Sequence, residues 1–410
     1  MNNLGIRDLT LYLIGISIFF QPLNIKIQGL SISVLLIIFF ILVSITIKKT
    51  YYLDEIFLFF PPIICLIYFN LINSLTDRGF IVSIYLTFIF FIFKSKFKES
   101  TINNLWKITF LVSLFLVMIG FYRFIFGYNV PYSENAYGYL YRSSRATYLG
   151  IDYGIATRNS DALYFGVFFI SSLRFYLKSK LPLEKLIFSF LSILGFFSSL
   201  LNLSRAYIFA CLLTIYIAFK NSKRFNIINF FKILFFVSTG FGIVFLLSFI
   251  LPGSNYFLGL TFNAILSIFN PNNLSIDGQQ LIYSNQERIS LYINSIFDFI
   301  KFPFGRGIDF SINYIENKLN SENLYFDLLI STGIFSIPLI INFIKKLFYI
   351  IKRINISLEY RLIGMESVFL FILTLTNHYI DLAIFWYFLA LVLIDFNKIK
   401  ENTDSLKYLN

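Results

Sequence analysis

The residues with chemistry to offer are arginines and a few carboxylates, and they are unevenly placed. Arg78, Arg123, Arg142, Arg145, Arg158, Arg205, Arg288 and Arg306 occupy one set of connecting segments, accompanied only by Lys26, Lys301 and Lys318. The alternate connections carry their positive charge mostly as lysine. Any cation satisfies topology, so arginine on one side asks for another reason. Guanidinium is a planar fork that grips phosphate or carboxylate through paired hydrogen bonds, which an ammonium cannot do. For each arginine taken singly, the competing explanation is snorkelling toward lipid headgroups.

Some of these arginines sit in short polar stretches. One is Thr157-Arg158-Asn159-Ser160-Asp161, where Ser160 and Asp161 read equally well as helix caps. A second is Leu203-Ser204-Arg205-Ala206. A third runs from Asn285-Gln286-Glu287-Arg288 through the turn Pro303-Phe304-Gly305-Arg306-Gly307 to Ser321-Glu322-Asn323-Leu324-Tyr325. A carboxylate such as Glu322 can take a proton from a hydroxyl within hydrogen-bond reach; its alternative role is to cap the helix that follows. The single histidine, His378, beside Asn377 and near Asp381, is a second candidate base or simply a boundary residue.

Other chemistries find little footing. There is no phosphate-binding P-loop, no dinucleotide-binding glycine motif, no His-Glu-x-x-His and no paired-cysteine spacing. No Asp-x-Asp pair offers itself to a divalent metal on a sugar nucleotide. Cys65 and Cys211 lie inside apolar runs and read as small core residues, not as a disulfide. The expectation is a site without metal or cofactor.

The elements that must position these groups are membrane helices. Of 410 residues, 57% are apolar and only 14% charged, where a globular domain carries about 25% charged residues. Mean hydropathy is +0.74. So few charges cannot keep a surface wet, and lipid must be the main solvent. Aromatic residues make up 20% of the chain, so a Tyr- or Phe-rich loop is weak evidence of sugar stacking. A net charge of +12 fits the positive-inside rule of a polytopic membrane protein, and no nucleic-acid partner is expected. The basic segment ahead of the first apolar run is only Arg7, and no small-residue cleavage site follows, so no cleaved signal is expected.

Twelve apolar segments approach the ~20 residues a span needs: 4–21, 29–47, 56–73, 79–93, 106–127, 160–177, 184–202, 206–219, 228–251, 323–344, 361–377 and 379–396. The lysine-bearing connections include Lys48/Lys49, Lys94/Lys96/Lys98/Lys107, Arg174/Lys178/Lys180/Lys185, Lys220/Lys223/Arg224/Lys232 and Lys345/Lys346/Lys352/Arg353/Arg361. With the tail, these define the cytoplasmic side and put both termini there. Two outer loops are long, 128–159 and 252–322. Within the second, Ile289, Tyr292/Ile293, Ile296/Phe297 and Ile300 recur at helical spacing, giving an amphipathic helix that lies on the bilayer or caps the bundle. A shorter helical pattern occupies 309–319. The span interiors read as nearly free of charge, with ionisable groups gathered at the outer boundary.

In their order along the chain these features resemble the O-antigen polymerase and O-antigen ligase superfamily. Its members are polytopic, with about a dozen spans and a large late external loop. They carry a Ser-Arg pair near the middle, an arginine before a loop helix, a Pro-x-x-Gly-x-Gly turn, and a His-Asn-x-Tyr-type stretch ending in a glycine within the next span. The counterparts here are Ser204-Arg205, Arg288, Pro303-Phe304-Gly305-Arg306-Gly307, and Glu322-Asn323-Leu324-Tyr325 with Gly333. Motif order matches over about 140–345, and the span pattern throughout. Glu322 stands where ligases of the family place histidine, which tilts the resemblance toward polymerases. The doubled Arg-x10-Gly pattern of some polymerases is absent in strict form, since Arg142 to Gly154 is one residue too long.

The resemblance implies an all-α, polytopic fold with a GT-C-like glycosyltransferase architecture in a bacterial inner membrane, and a periplasmic site. It implies transfer of a growing glycan from undecaprenyl diphosphate to a sugar hydroxyl on a second lipid-linked unit, with a chain-length regulator as partner. On that reading Arg205 and Arg288 clamp the diphosphate, assisted by Arg306 or Arg158, with Arg142, Arg145, Asn323 and Tyr325 at the substrate. Glu322 is the expected base, and a single displacement inverts the anomeric centre. The rivals are a ligase to lipid A-core and a lipid-linked oligosaccharide flippase. A flippase calls for charge within its central cavity.

Overall fold

The computed structural model describes residues 5–18, 26–27, 30–46, 53–73, 78–93, 95–125, 145–148, 151–154, 158–201, 205–220, 238, 276–308, 323–376 and 382–407. Long apolar runs without interior charge become helices, because only a helix satisfies its backbone polar groups internally in lipid. In chain order these are α1 (Ile6–Ser17), α2 (Ile32–Thr46), α3 (Leu53–Asn73), α4 (Arg78–Phe93), α5 (Glu99–Ile125), α6 (Arg158–Lys178) and α7 (Pro182–Leu201). They continue with α8 (Arg205–Phe219), α9 (Ile276–Lys301), α10 (Leu324–Thr332), α11 (Ile337–Ile351), α12 (Leu358–Thr376) and α13 (Ala383–Lys407). Two small antiparallel hairpins accompany them: β1 (Lys26–Ile27) with β2 (Leu30–Ser31), and β3 (Arg145–Tyr148) with β4 (Ile151–Gly154). The second hairpin falls within the connection between α5 and α6.

Every apolar segment marked as a span, except 228–251, coincides with a described helix. Residues 228–251 lie outside the described residues apart from Ser238, as does the pattern at 309–319. Among the described residues, Asp54–Ile72, Glu99–Met118 and Leu324–Ile351 are long and apolar enough to cross a bilayer. Pro61 and Pro62 sit inside α3, a placement membrane helices tolerate where neighbours satisfy the freed carbonyls. Large apolar side chains point outward, among them Phe57, Ile64 and Leu71 on α3, Leu111 and Met118 on α5, and Leu186 and Phe190 on α7. In water this would be an aggregating surface; it is the surface that lipid covers.

The bundle is organised around α13, which packs against α4, α5, α6 and α12. Its Trp386, Tyr387 and Phe388 are buried, and Trp386 stacks on Tyr85 of α4 at 5.8 Å between centroids. The segments separated by tight connections, α7 and α8, and α12 and α13, pack against one another.

Three features depart from the sequence reading. The tenth span is not one helix: α10 ends at Thr332, a 3-10 turn covers Gly333–Ser336, and α11 restarts with Pro338 near its head. The amphipathic helix is longer than its apolar repeat, since α9 begins at Ile276. The span interiors are not free of charge. Arg174, which reads as part of a cytoplasmic loop, is buried within α6 beside Glu366 of α12 and Asp395 of α13.

Candidate functional site

The break in the tenth span is built by two glycines from distant parts of the chain. Gly333 has φ +59° and Gly305 φ +87°, a region L-residues rarely adopt. Each lies where a Cβ would collide with the other's segment: at Gly305 with the Ser331 carbonyl oxygen at 2.5 Å, and at Gly333 with the Pro303 carbonyl oxygen. The Pro303–Gly307 turn is thereby locked against the end of α10.

The hydrogen bonds explain why the turn docks there. A helix that stops leaves its last carbonyls without partners, and in a membrane none can stay so. The Arg306 amide donates to the Ile330 carbonyl and the Gly307 amide to the Ser331 carbonyl, both at 3.0 Å. In return the Ile334 amide donates to the Pro303 carbonyl at 2.8 Å. The Cys65 thiol of α3 donates to the Phe304 carbonyl at 3.4 Å, tying the turn to a third element. Gly333 lies nine residues beyond the start of α10, about 13 Å of helix rise. The Pro303–Gly307 turn therefore docks well along α10 from its N-terminal end.

Arg306 projects from this turn. Its guanidinium lies over the Phe302 ring at 4.0 Å and its Nη1 is 4.0 Å from Asp298 Oδ1 on α9. It retains about a quarter of its exposure, whereas Asp298 is almost wholly buried. Asp298 shares one face of α9 with buried Leu291 and Ser295. The opposite face, with Ile289, Ile293, Ile296, Phe297 and Ile300, is exposed. The apolar repeat read from the sequence thus faces away from the bundle, as a bilayer-facing surface does.

Above the break, Asn323 caps α10: its Oδ1 accepts from the Tyr325 and Phe326 amides at 2.9 and 3.3 Å. Its Nδ2 donates to the Leu375 carbonyl at 2.9 Å, near the end of α12. The same carbonyl accepts from the Tyr292 hydroxyl of α9 at 3.1 Å. Thr374 donates to the Tyr325 hydroxyl at 3.2 Å. The head of α10 is thus fastened at Asn323 to the end of α12. Tyr325 and Thr374 also line an apolar groove between α10, α11, α12 and α13, which continues past Phe343 to Lys346.

The other arginines are placed only by their backbone. Arg205 is the first residue of α8, Arg158 the first of α6, Arg288 lies within α9, and Arg145 pairs with Gly154 in the β3–β4 hairpin. Glu322, Arg142, His378 and Asp381 lie outside the described residues. Asn323, Tyr325 and Arg306 therefore belong to one connected unit formed by α9, the turn, α10 and the end of α12.

Sequence reasoning missed Asp298, Phe302 and Tyr292, which hold that unit together, and the buried Arg174–Glu366–Asp395 group. The signal for the latter was present: two carboxylates inside apolar runs. Among the described residues, no group of three or more His, Cys, Asp or Glu is arranged to hold a metal. The fold and site together define a helical membrane protein with a loop turn inserted at a broken helix. In comparisons with protein-family models, curated proteins and solved structures, the chain matches none.

Proposed function

We propose that the chain is a membrane glycosyltransferase of the polysaccharide polymerase class. It passes a growing glycan from undecaprenyl diphosphate to a sugar hydroxyl on a second lipid-linked unit, at the outer face of a twelve-span bundle. The observation that carries the reading is the mutual locking of Gly305 and Gly333. It makes one unit of two motif segments that lie apart in sequence. The Asn323 cap adds the head of α10 and the end of α12 to that unit.

The chemistry has two requirements. Charge developing on the departing diphosphate must be met by donors set in advance. Arg288 and Arg205 are assigned to that role. Arg306, already paired with Asp298 and stacked on Phe302, orients the turn and adds positive potential. The acceptor hydroxyl must lose its proton, and Glu322 is the assigned base. The groove beside Tyr325 is apolar along most of its length, which suits a long hydrocarbon chain whose polar end stays near Tyr325 and Thr374.

A second reading is favoured by one observation. Buried charge among spans is what a proton-coupled flippase requires, and Arg174, Glu366 and Asp395 supply it. Surface glycan and lipid-linked intermediates of a deletion strain separate the readings. The polymerase reading expects single repeat units on lipid A-core and no ladder. Long polymer stranded on undecaprenyl diphosphate means a ligase. Single units held on the cytoplasmic face mean a flippase.

A further inference from the structure

The group formed by Arg174, Glu366 and Asp395 lies outside the proposed site. Its members come from α6, α12 and α13, and are 3%, 0% and 5% exposed. Arg174 Nη1 donates to Asp395 Oδ2 at 2.8 Å and also to Glu366 Oε1. Trp106 of α5 donates its Nε1 hydrogen to Asp395 Oδ2 at 2.8 Å, and its ring lies 4.3 Å from the Arg174 guanidinium. Asp395 thus has two strong donors on one oxygen. Glu366 has one, and its buried Oε2 has no hydrogen-bond partner among the described residues.

The charges do not balance. With both carboxylates ionised, the group carries a net negative charge in a dry interior, where unpaired charge is strongly disfavoured. Among the described residues, no cation other than Arg174 makes an ion pair with either carboxylate. Lys178, one turn further along α6, is bonded to Asn103 at 3.4 Å at the exposed end of the helix, and its charge acts on Glu366 and Asp395 only from beyond ion-pair distance. Lys398 of α13 pairs with Glu99 of α5 at 3.0 Å. Lys107 of α5 is exposed, and Lys346 of α11 lies over the Phe93 and Phe396 rings. Arg361, on α12 itself, stands five residues before Glu366. α8, which packs along α12, carries no charged side chain from Ala206 to Phe219.

We infer that this group is a proton-binding site: Glu366 holds one proton, so that Arg174 and Asp395 form a neutral ion pair beside a neutral acid. The proton bound is a hydrogen ion from water, and its release leaves a carboxylate on Glu366. The exposed end of α6 at Lys178 is four residues away, about 6 Å of helix rise, so exchange with water on the lysine-rich side is short-range. Proton loss places net charge between α6, α12 and α13 and loosens their packing. The inference is independent of the glycosyltransferase reading.

The test uses the full-length protein in lipid nanodiscs and the infrared carbonyl band of protonated carboxyl groups. Wild type at neutral pH should show a deuterium-sensitive band that Glu366→Gln removes. Glu366→Gln should keep the neutral-pH thermal midpoint, since a neutral amide replaces a neutral acid. The wild-type midpoint should fall toward alkaline pH while that of Glu366→Gln stays level. Asp395→Asn should also remove the band, because Glu366 then ionises against Arg174; this variant decides the matter if Glu366→Gln does not fold. A wild-type band that survives in a folded variant of either kind, or absence of any such band at every pH, overturns the inference.

Discussion

Arg306 differs from Arg288 in what its loss would expose. Its guanidinium faces the almost wholly buried Asp298 carboxylate and covers the Phe302 ring. Arg306→Ala should therefore lower thermal stability, because a buried carboxylate loses its nearby positive charge and the ring its cover, and lower activity with it. Thermal unfolding in detergent would detect this. Arg288→Lys should leave the midpoint unchanged but cut elongation sharply, because an ammonium cannot form the fork. Wild-type polymer from that variant would mean that charge alone suffices. Glu322→Gln should keep the fold and reduce transfer by about 10²–10⁴-fold, the usual worth of a positioned general base. Unchanged transfer would pass the role to His378 or to water.

At the scale of elements, the broken tenth span is the feature most exposed to test. Gly333→Ala forces a Cβ into a left-handed position and against the Pro303 carbonyl. A strained conformation alone costs of order 1–3 kcal/mol, so marked loss of thermal stability is expected, with Gly305→Ala behaving alike. Asn323→Ala removes a cap worth about 1 kcal/mol and frees the Leu375 carbonyl. If both glycine variants unfold like wild type, the turn is not locked to the helix. This break was not legible in the sequence. Gly333 sits inside an apolar run, where glycine is tolerated, and the φ it needs is set by a turn some thirty residues earlier. The turn itself was legible from Pro303, Gly305 and Gly307; its destination was not.

For the whole molecule, the helices were legible because lipid imposes a length and an apolar content on each one, and nearly every such run is a helix. The buried Arg174 group was hidden for a related reason. Arg174 falls near the lysine-rich end of α6 and reads as topology, while Glu366 and Asp395 lie 192 and 221 positions further on and meet it only on folding. The proposed twelve-span arrangement makes its own prediction. In a background lacking Cys65 and Cys211, single cysteines at positions 49 and 222 should label from the cytoplasmic side, and those at 135 and 280 from the opposite side. Labelling of 135 and 222 from the same side would break the arrangement.

The proposed transfer of a glycan between two lipid-linked molecules can be followed with the purified full-length protein in nanodiscs, supplied with undecaprenyl-diphosphate-linked repeat units. A ladder of longer glycans still attached to the lipid diphosphate, with undecaprenyl diphosphate released in step, is the predicted result. Repeat units that remain single after prolonged incubation, with no undecaprenyl diphosphate released, would contradict it.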